Sequence, residues 1–136
     1  MNLADESCRL RVLADGPVGA WRTVPGTHTV LADESIRFNR DGTGAWRCRS
    51  FLSGSMVQPF VWRVAGHGVV ECRPVYAMPE IDPAGRPENS DWFRLSLVIE
   101  PHATDTGTCW VLRERNSGGF WELAAPLVPT TETSTL

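Results

Sequence analysis

The sequence predicts an all-β domain, an antiparallel up-and-down barrel of about eight strands, and three observations lead there. Apolar and polar residues alternate in short runs. Gly-rich turns separate those runs at intervals of roughly 8–12 residues. Little chain remains between them for helices, which argues against a parallel α/β fold, because its crossovers need helical length. Strands in simple succession then favour a closed meander over a sandwich.

Taken in order, residues Leu3 to Ala14 satisfy two patterns. As a short helix they have Asn2 as cap, Asp5 and Glu6 in the first turn and Gly16-Pro17 as the stop. As a strand, Cys8 to Val12 alternate in polarity. Val18 to Val24 follows as a strand carrying Gly19-Ala20-Trp21. The clearest hairpin runs through Ile36 to Arg40, the turn Asp41-Gly42-Thr43-Gly44 and Ala45 to Phe51. It sets Ile36, Phe38, Trp46 and Cys48 inward and Arg37, Arg47 and Arg49 outward.

Phe60 to Val64 and Val69 to Arg73 form a second hairpin around Ala65-Gly66-His67-Gly68, with Phe60, Trp62, Val64, Val70 and Cys72 inside. Trp92 to Ile99 pairs with Thr108 to Glu114, and Phe93, Leu95, Leu97 and Ile99 alternate with Arg94 and Ser96. A last strand, Phe120 to Leu123, follows Asn116-Ser117-Gly118-Gly119. Its register has two solutions: a two-residue turn sets Leu112 opposite Leu123, and a three-residue loop sets Arg113 opposite Trp121 as a cation–π pair.

Two segments break the rhythm. Tyr76 to Asp91 holds Pro79, Pro83 and Pro87, and a loop of that length is a functional lid or is disordered. The Thr/Pro-rich stretch 125–136 is expected to be a flexible tail, leaving one domain over 1–124.

A chain of 136 residues suits one domain with a real core, since such a domain buries roughly two-thirds of its unfolded surface. The net charge of −3 gives no general attraction to nucleic acid or anionic lipid, so partners must be chosen by local features. All 13 basic residues are Arg, the coding habit of a GC-rich, bacterial genome. The acidic start lacks the apolar run of a secretory signal, and no stretch approaches the ~20 apolar residues of a membrane span. A cytoplasmic location is the expectation. Cys8, Cys48, Cys72 and Cys109 form no CxxC or CxxH pair, so free thiols are expected and zinc is not.

Gly19-Ala20-Trp21 on the first long strand resembles the G-x-W element of lipocalins, and the meander over residues 18 to 124 is similar in order. The T-D-Y segment of that family is absent, so the resemblance is to lipocalin-like, or calycin-like, barrels at large. It implies that Trp21 plugs the closed end, that Arg113 or Arg115 packs over it, and that a small hydrophobic or aromatic ligand enters the barrel mouth. Phe38, Trp46, Phe60, Trp62, Leu97 and Trp110 are the residues expected to line that interior. Their rings either fill a barrel of this size or leave room for one small ligand.

The leading expectation is therefore a non-enzymatic binding protein without a cofactor. A second reading uses the outward Arg37, Arg47, Arg49, Arg63 and Arg73, which neighbouring strands gather into one basic patch interrupted by Glu71. It would hold an acidic protein partner; the same planes could stack on a nucleic-acid strand, though the acidic net charge speaks against that. Pairing of sheet edges into a homodimer is compatible with either reading. A third is a small barrel enzyme of isomerase or lyase type, with Glu100 and His102 as base and orienter.

Other chemistry fails on spacing. Asn39 to Gly44 starts like a calcium loop, but Ser50 stands where the bidentate Glu should be. G-x-S-x-G and phosphate-loop motifs are missing. His28, His67 and His102 fall in predicted turns without a partner at metal-ligand spacing.

Overall fold

The computed structural model describes residues 2–24, 32–50, 54–75, 92–105, 107–115 and 126–130. One helix, α1 (Glu6–Asp15), precedes eight strands: β1 (Gly19–Thr23), β2 (Ala32–Phe38), β3 (Thr43–Ser50), β4 (Gly54–Gly66), β5 (Val69–Pro74), β6 (Phe93–Thr104), β7 (Gly107–Glu114) and β8 (Leu127–Pro129). The strands form a closed barrel in chain order, each antiparallel to the next, and β8 returns to β1. This is the predicted up-and-down barrel.

Alternation fixes which side chains enter the interior. Ile36 lies opposite Trp46, Trp62 opposite Cys72, Val70 opposite Leu95 and Ile99 opposite Leu112. Because the side-chain period is two, one such inward pair settles the face of its whole strand. The hairpin turns between β2 and β3, β4 and β5, and β6 and β7 share one end of the barrel with α1. The other four connections share the opposite end, and their central residues lie outside those described.

At Glu6–Asp15 the helical pattern prevails. Its cap is Asp5, whose carboxylate accepts from the Ser7 amide at 3.0 Å, while the Asn2 side chain, expected as the cap, accepts from the Ala4 amide. Gly16 ends the helix at φ 94°, a conformation L side chains rarely adopt. A Cβ there would overlap the Trp62 ring. Cys8 and Val12, four residues apart, share one helix face and are buried with Leu3. The Gly68 amide donates to the Leu13 carbonyl at 2.6 Å, and the Arg9 guanidinium lies 3.8 Å above the Trp110 ring. These contacts seat α1 across the turn end as a plug.

Beneath it the barrel is filled by rings. Phe38 meets Phe60 and Trp62 edge-on, each at 5.4 Å between centroids. The Trp62 indole N–H donates to the carbonyls of Asn39 and Thr43, and that of the fully buried Trp21 donates to the Pro17 carbonyl at 2.8 Å. Each buried indole thus keeps a partner, which removes the main penalty for burying it. Gly44 makes room for this cluster: a Cβ would lie 2.5 Å from both the Arg37 carbonyl oxygen and Phe60 Cζ.

The chain also departs from expectation. Phe120 to Leu123, with Trp121, lies outside the described residues. The strand that closes the barrel is β8, within the segment expected to be a tail. Leu127 is fully buried and pairs with both Leu112 and Thr23. Its neighbours Pro126, Pro129 and Thr130 gave this stretch a tail-like composition, yet a short closing strand needs few ladder bonds and tolerates a terminal Pro. β6 continues past Ile99 to Thr104, so His102, expected in a turn, stands in a strand opposite Cys109. All four cysteines are free.

Candidate functional site

The interior changes character away from α1. Counting back along β2 from Phe38, the alternate positions are Ile36 and Glu34, so period two carries an acid into the wall. Glu34 is only 1% exposed, and its Oε2 accepts a hydrogen bond from the Trp46 indole N–H. Glu34 stands opposite Cys48 and Ile36 opposite Trp46, so the indole reaches diagonally to the carboxyl group. Across the barrel Glu114, the last residue of β7, is also buried and stands opposite Leu97. Burial, and then the field of Glu114, push the Cys72 thiol up to about 12. Two carboxyl groups, an indole, two thiols and the half-buried Gln58 amide opposite Trp46 therefore interrupt the hydrocarbon of the inward positions.

At the rim of the same half, Met56 lies opposite Cys48 and Phe93 opposite Cys72, on inward-facing positions, yet each is 49% exposed. Apolar side chains are thus presented at the mouth above the buried acids.

The six residues expected to line a ligand site divide accordingly. Phe38, Phe60 and Trp62 belong to the packed cluster at the turn end. Trp110 lies half-buried beneath Arg9 of the plug. Trp46 contacts the first carboxyl group; Leu97 stands opposite the second, but its amide donates to the Gly68 carbonyl at 2.7 Å, next to the contact that seats α1. Sequence reasoning missed Glu34 and Glu114. The usable signal was strict alternation continued two residues beyond Ile36 on β2 and beyond Leu112 on β7.

The outward arginines also divide. Arg63 pairs with Glu71 at 2.8 Å and lies 3.8 Å above the Trp92 ring; Arg94 reaches Glu71 at 3.3 Å, and Arg73 is 6.0 Å from the same ring. Those residues form a self-contained cluster on β4, β5 and β6. Arg37 and Arg47 instead join Arg22, which sequence reasoning passed over, around a hollow of about 460 Å³ on the outside of β1, β2 and β3. Arg47 and Arg49 border a smaller hollow of about 60 Å³ with Ser55 and Val57.

Glu100 is forked by Arg113, with hydrogen bonds of 2.8 and 3.1 Å. Those bonds, and then the positive charges of Arg113 and His102, hold its carboxyl below the usual range. It lies on the opposite face from inward Ile99 and Leu112, and so does not serve the interior. Arg113 is thereby committed to Glu100. The Asn39 to Gly44 segment is a hairpin turn in which Asp41 accepts from the Thr43 amide and hydroxyl. Among the described residues, no group of three or more His, Cys, Asp or Glu could hold a metal ion, and no helix is long and apolar enough to cross a membrane.

Comparison with protein-family models, curated proteins and solved structures finds no match to this chain.

Proposed function

We propose that this protein binds a small molecule with an apolar or aromatic body and a hydrogen-bond-donating or cationic head, held in the half of the barrel away from α1. The observation that carries the reading is the Glu34 carboxyl group, buried to 1% exposure on the inner wall beside Trp46. Taking an ionised carboxyl group out of water costs several kcal/mol, and apolar residues of similar volume are often as good or better for stability. An acid kept in such a wall suits recognition: small-molecule sites are mostly apolar, with a few placed polar groups that fix orientation. Glu34 and Glu114 select a donor or a cation, the Trp46 ring faces its apolar body, and Met56 and Phe93 form the entrance. The resemblance to lipocalin-like barrels supports the same mode of binding, with the site confined to one half because rings fill the other.

The test compares octylamine, octanol and octanoate by calorimetry and thermal shift on the full chain. The amine and the alcohol are expected to bind and stabilise. At one hundred times Kd the gain would be about 2.7 kcal/mol, or roughly 9 °C for a chain of this length. Glu34→Gln is expected to abolish the preference for amine over alcohol. Stabilisation by octanoate equal to that by octylamine, or by none of the three, would refute the proposal.

A further inference from the structure

We infer that the hollow outside β1, β2 and β3 is a second binding site, for a phosphate-bearing small molecule. Its construction follows from the register. Arg22, Ser35 and Arg47 lie side by side in one row across the three strands. Ala20, Arg37 and Ala45 form the adjacent row. Large and small side chains therefore alternate in both directions on this face, and Ala20, Ser35 and Ala45 leave a floor beneath three long arginines.

Arg22 and Arg47 are two strands apart, roughly 10 Å at the backbone. Arg37 stands between them, one row along. Three extended side chains from such a triangle can bring their guanidinium groups onto one anion. The planar, always-charged fork of arginine matches phosphate oxygens in pairs, and the Ser35 hydroxyl adds a donor from the floor.

Charge separates this face from the rest of the barrel surface. Among the described residues, no carboxylate pairs with Arg22, Arg37 or Arg47, whereas Arg63, Arg94 and Arg113 each have one. By register Asp33 stands opposite Arg49, one row further along these strands. Three positive charges without a carboxylate partner among the described residues thus gather on a chain whose net charge is −3. Such a local concentration attracts a compact anion. A long polyanion would also meet the negative remainder of the surface.

Size decides the rest. A volume of about 460 Å³ falls within the range of small-molecule sites and leaves space for an organic body beyond the phosphate. This inference is independent of the interior site, since the two lie on opposite faces of the same strands.

The test titrates the full chain with adenosine 5′-monophosphate, inorganic phosphate, adenosine, an oligothymidylate of twenty nucleotides and polyglutamate. It follows heat and the backbone amide signals of Ala20, Ser35 and Ala45. The monophosphate is expected to bind, to move those three signals and to bind more tightly than inorganic phosphate, while adenosine does not bind. Arg22→Gln, Arg37→Gln and Arg47→Gln are each expected to weaken it about tenfold or more, the loss of a charge-assisted hydrogen bond. Arg63→Gln and Arg94→Gln, which remove equal charge elsewhere, are expected to change it by less than about twofold. Equal weakening by the control variants, tighter binding of the oligonucleotide or polyglutamate, or no phosphate-dependent movement of the three signals in the wild-type chain would overturn the inference. The last readout needs no variant to fold.

Discussion

Replacing Phe60 by Ala removes a ring that is 1% exposed, meets Phe38 edge-on and lies where a Gly44 side chain would otherwise be. The vacated space is bounded by Phe38, by Trp62 beyond it, and by strand backbone. Trp62 is pinned by its two carbonyl acceptors, so the cluster has little freedom to collapse into the gap. A Phe→Ala change in such a setting costs about 3–5 kcal/mol. For 136 residues unfolding near 60 °C, each kcal/mol lowers Tm by roughly 3.5 °C, so a fall of about 10–17 °C is expected. The comparison is Met56→Ala, an inward position at the other end of the barrel but 49% exposed, expected to cost less than about 1 kcal/mol. Urea unfolding followed by circular dichroism measures both. A Phe60→Ala cost below 1 kcal/mol, or one equal to that of Met56→Ala, would refute a barrel filled at one end.

Three further outcomes follow from local geometry. Gly44→Ala would press its methyl group against the Arg37 carbonyl and the Phe60 ring, and a loss of about 1–3 kcal/mol is expected in the same urea experiment. Cys72 stays protonated in the fold, so iodoacetamide at pH 8 is expected to reach half-exposed Cys109 first and Cys72 only on unfolding, as read by peptide mass. Because the thiol is raised from 9.0 to about 12, its contribution is fully present below pH 9 and is lost as pH rises from 9 towards 12. For Glu100 the sign is reversed: its carboxyl is held below 4.5 by Arg113, so that contribution is present above pH 4.5 and lost as pH falls through the lowered value. Glu100→Gln is expected to flatten the acid limb of Tm against pH, and an unchanged limb would contradict the fork.

The barrel was legible because period two survives in most of the strands: Ile36 and Phe38, Trp46 and Cys48, Leu95 and Leu97 all face inward as the alternation predicts, while Val64, expected inside, is exposed, and consecutive Val111 and Leu112 are both fully buried. Glycine turns marked two of the three hairpins at the α1 end, Asp41 to Gly44 and Ala65 to Gly68. What sequence could not reveal has a common cause, namely that composition masks position. Leu127 sits among prolines and threonines, so a closing strand carried the signature of a tail. Glu34 and Glu114 are acids, and acids are rarely buried, so the alternation that carried them inward was not followed to its end. Arg37 and Arg63 are equivalent outward residues in the sequence. Only the register shows that Arg63 meets Glu71 while Arg37 meets two alanines. The helix was undecided because Cys8 to Val12 fits both periods, and the Asp5 cap with the Gly16 stop decided it.

Whether Glu34 and Trp46 grip a ligand in the half of the barrel away from α1 is read from the indole N–H signals in a ¹⁵N-resolved NMR titration with octylamine. The Trp46 signal is expected to lie far downfield in the free protein, because its proton is held by a carboxyl group, and to move on titration while those of Trp21 and Trp62 stay in place. Movement of Trp21 or Trp62 with a stationary Trp46 would put the ligand in the half that the rings fill, and would overturn the proposed site.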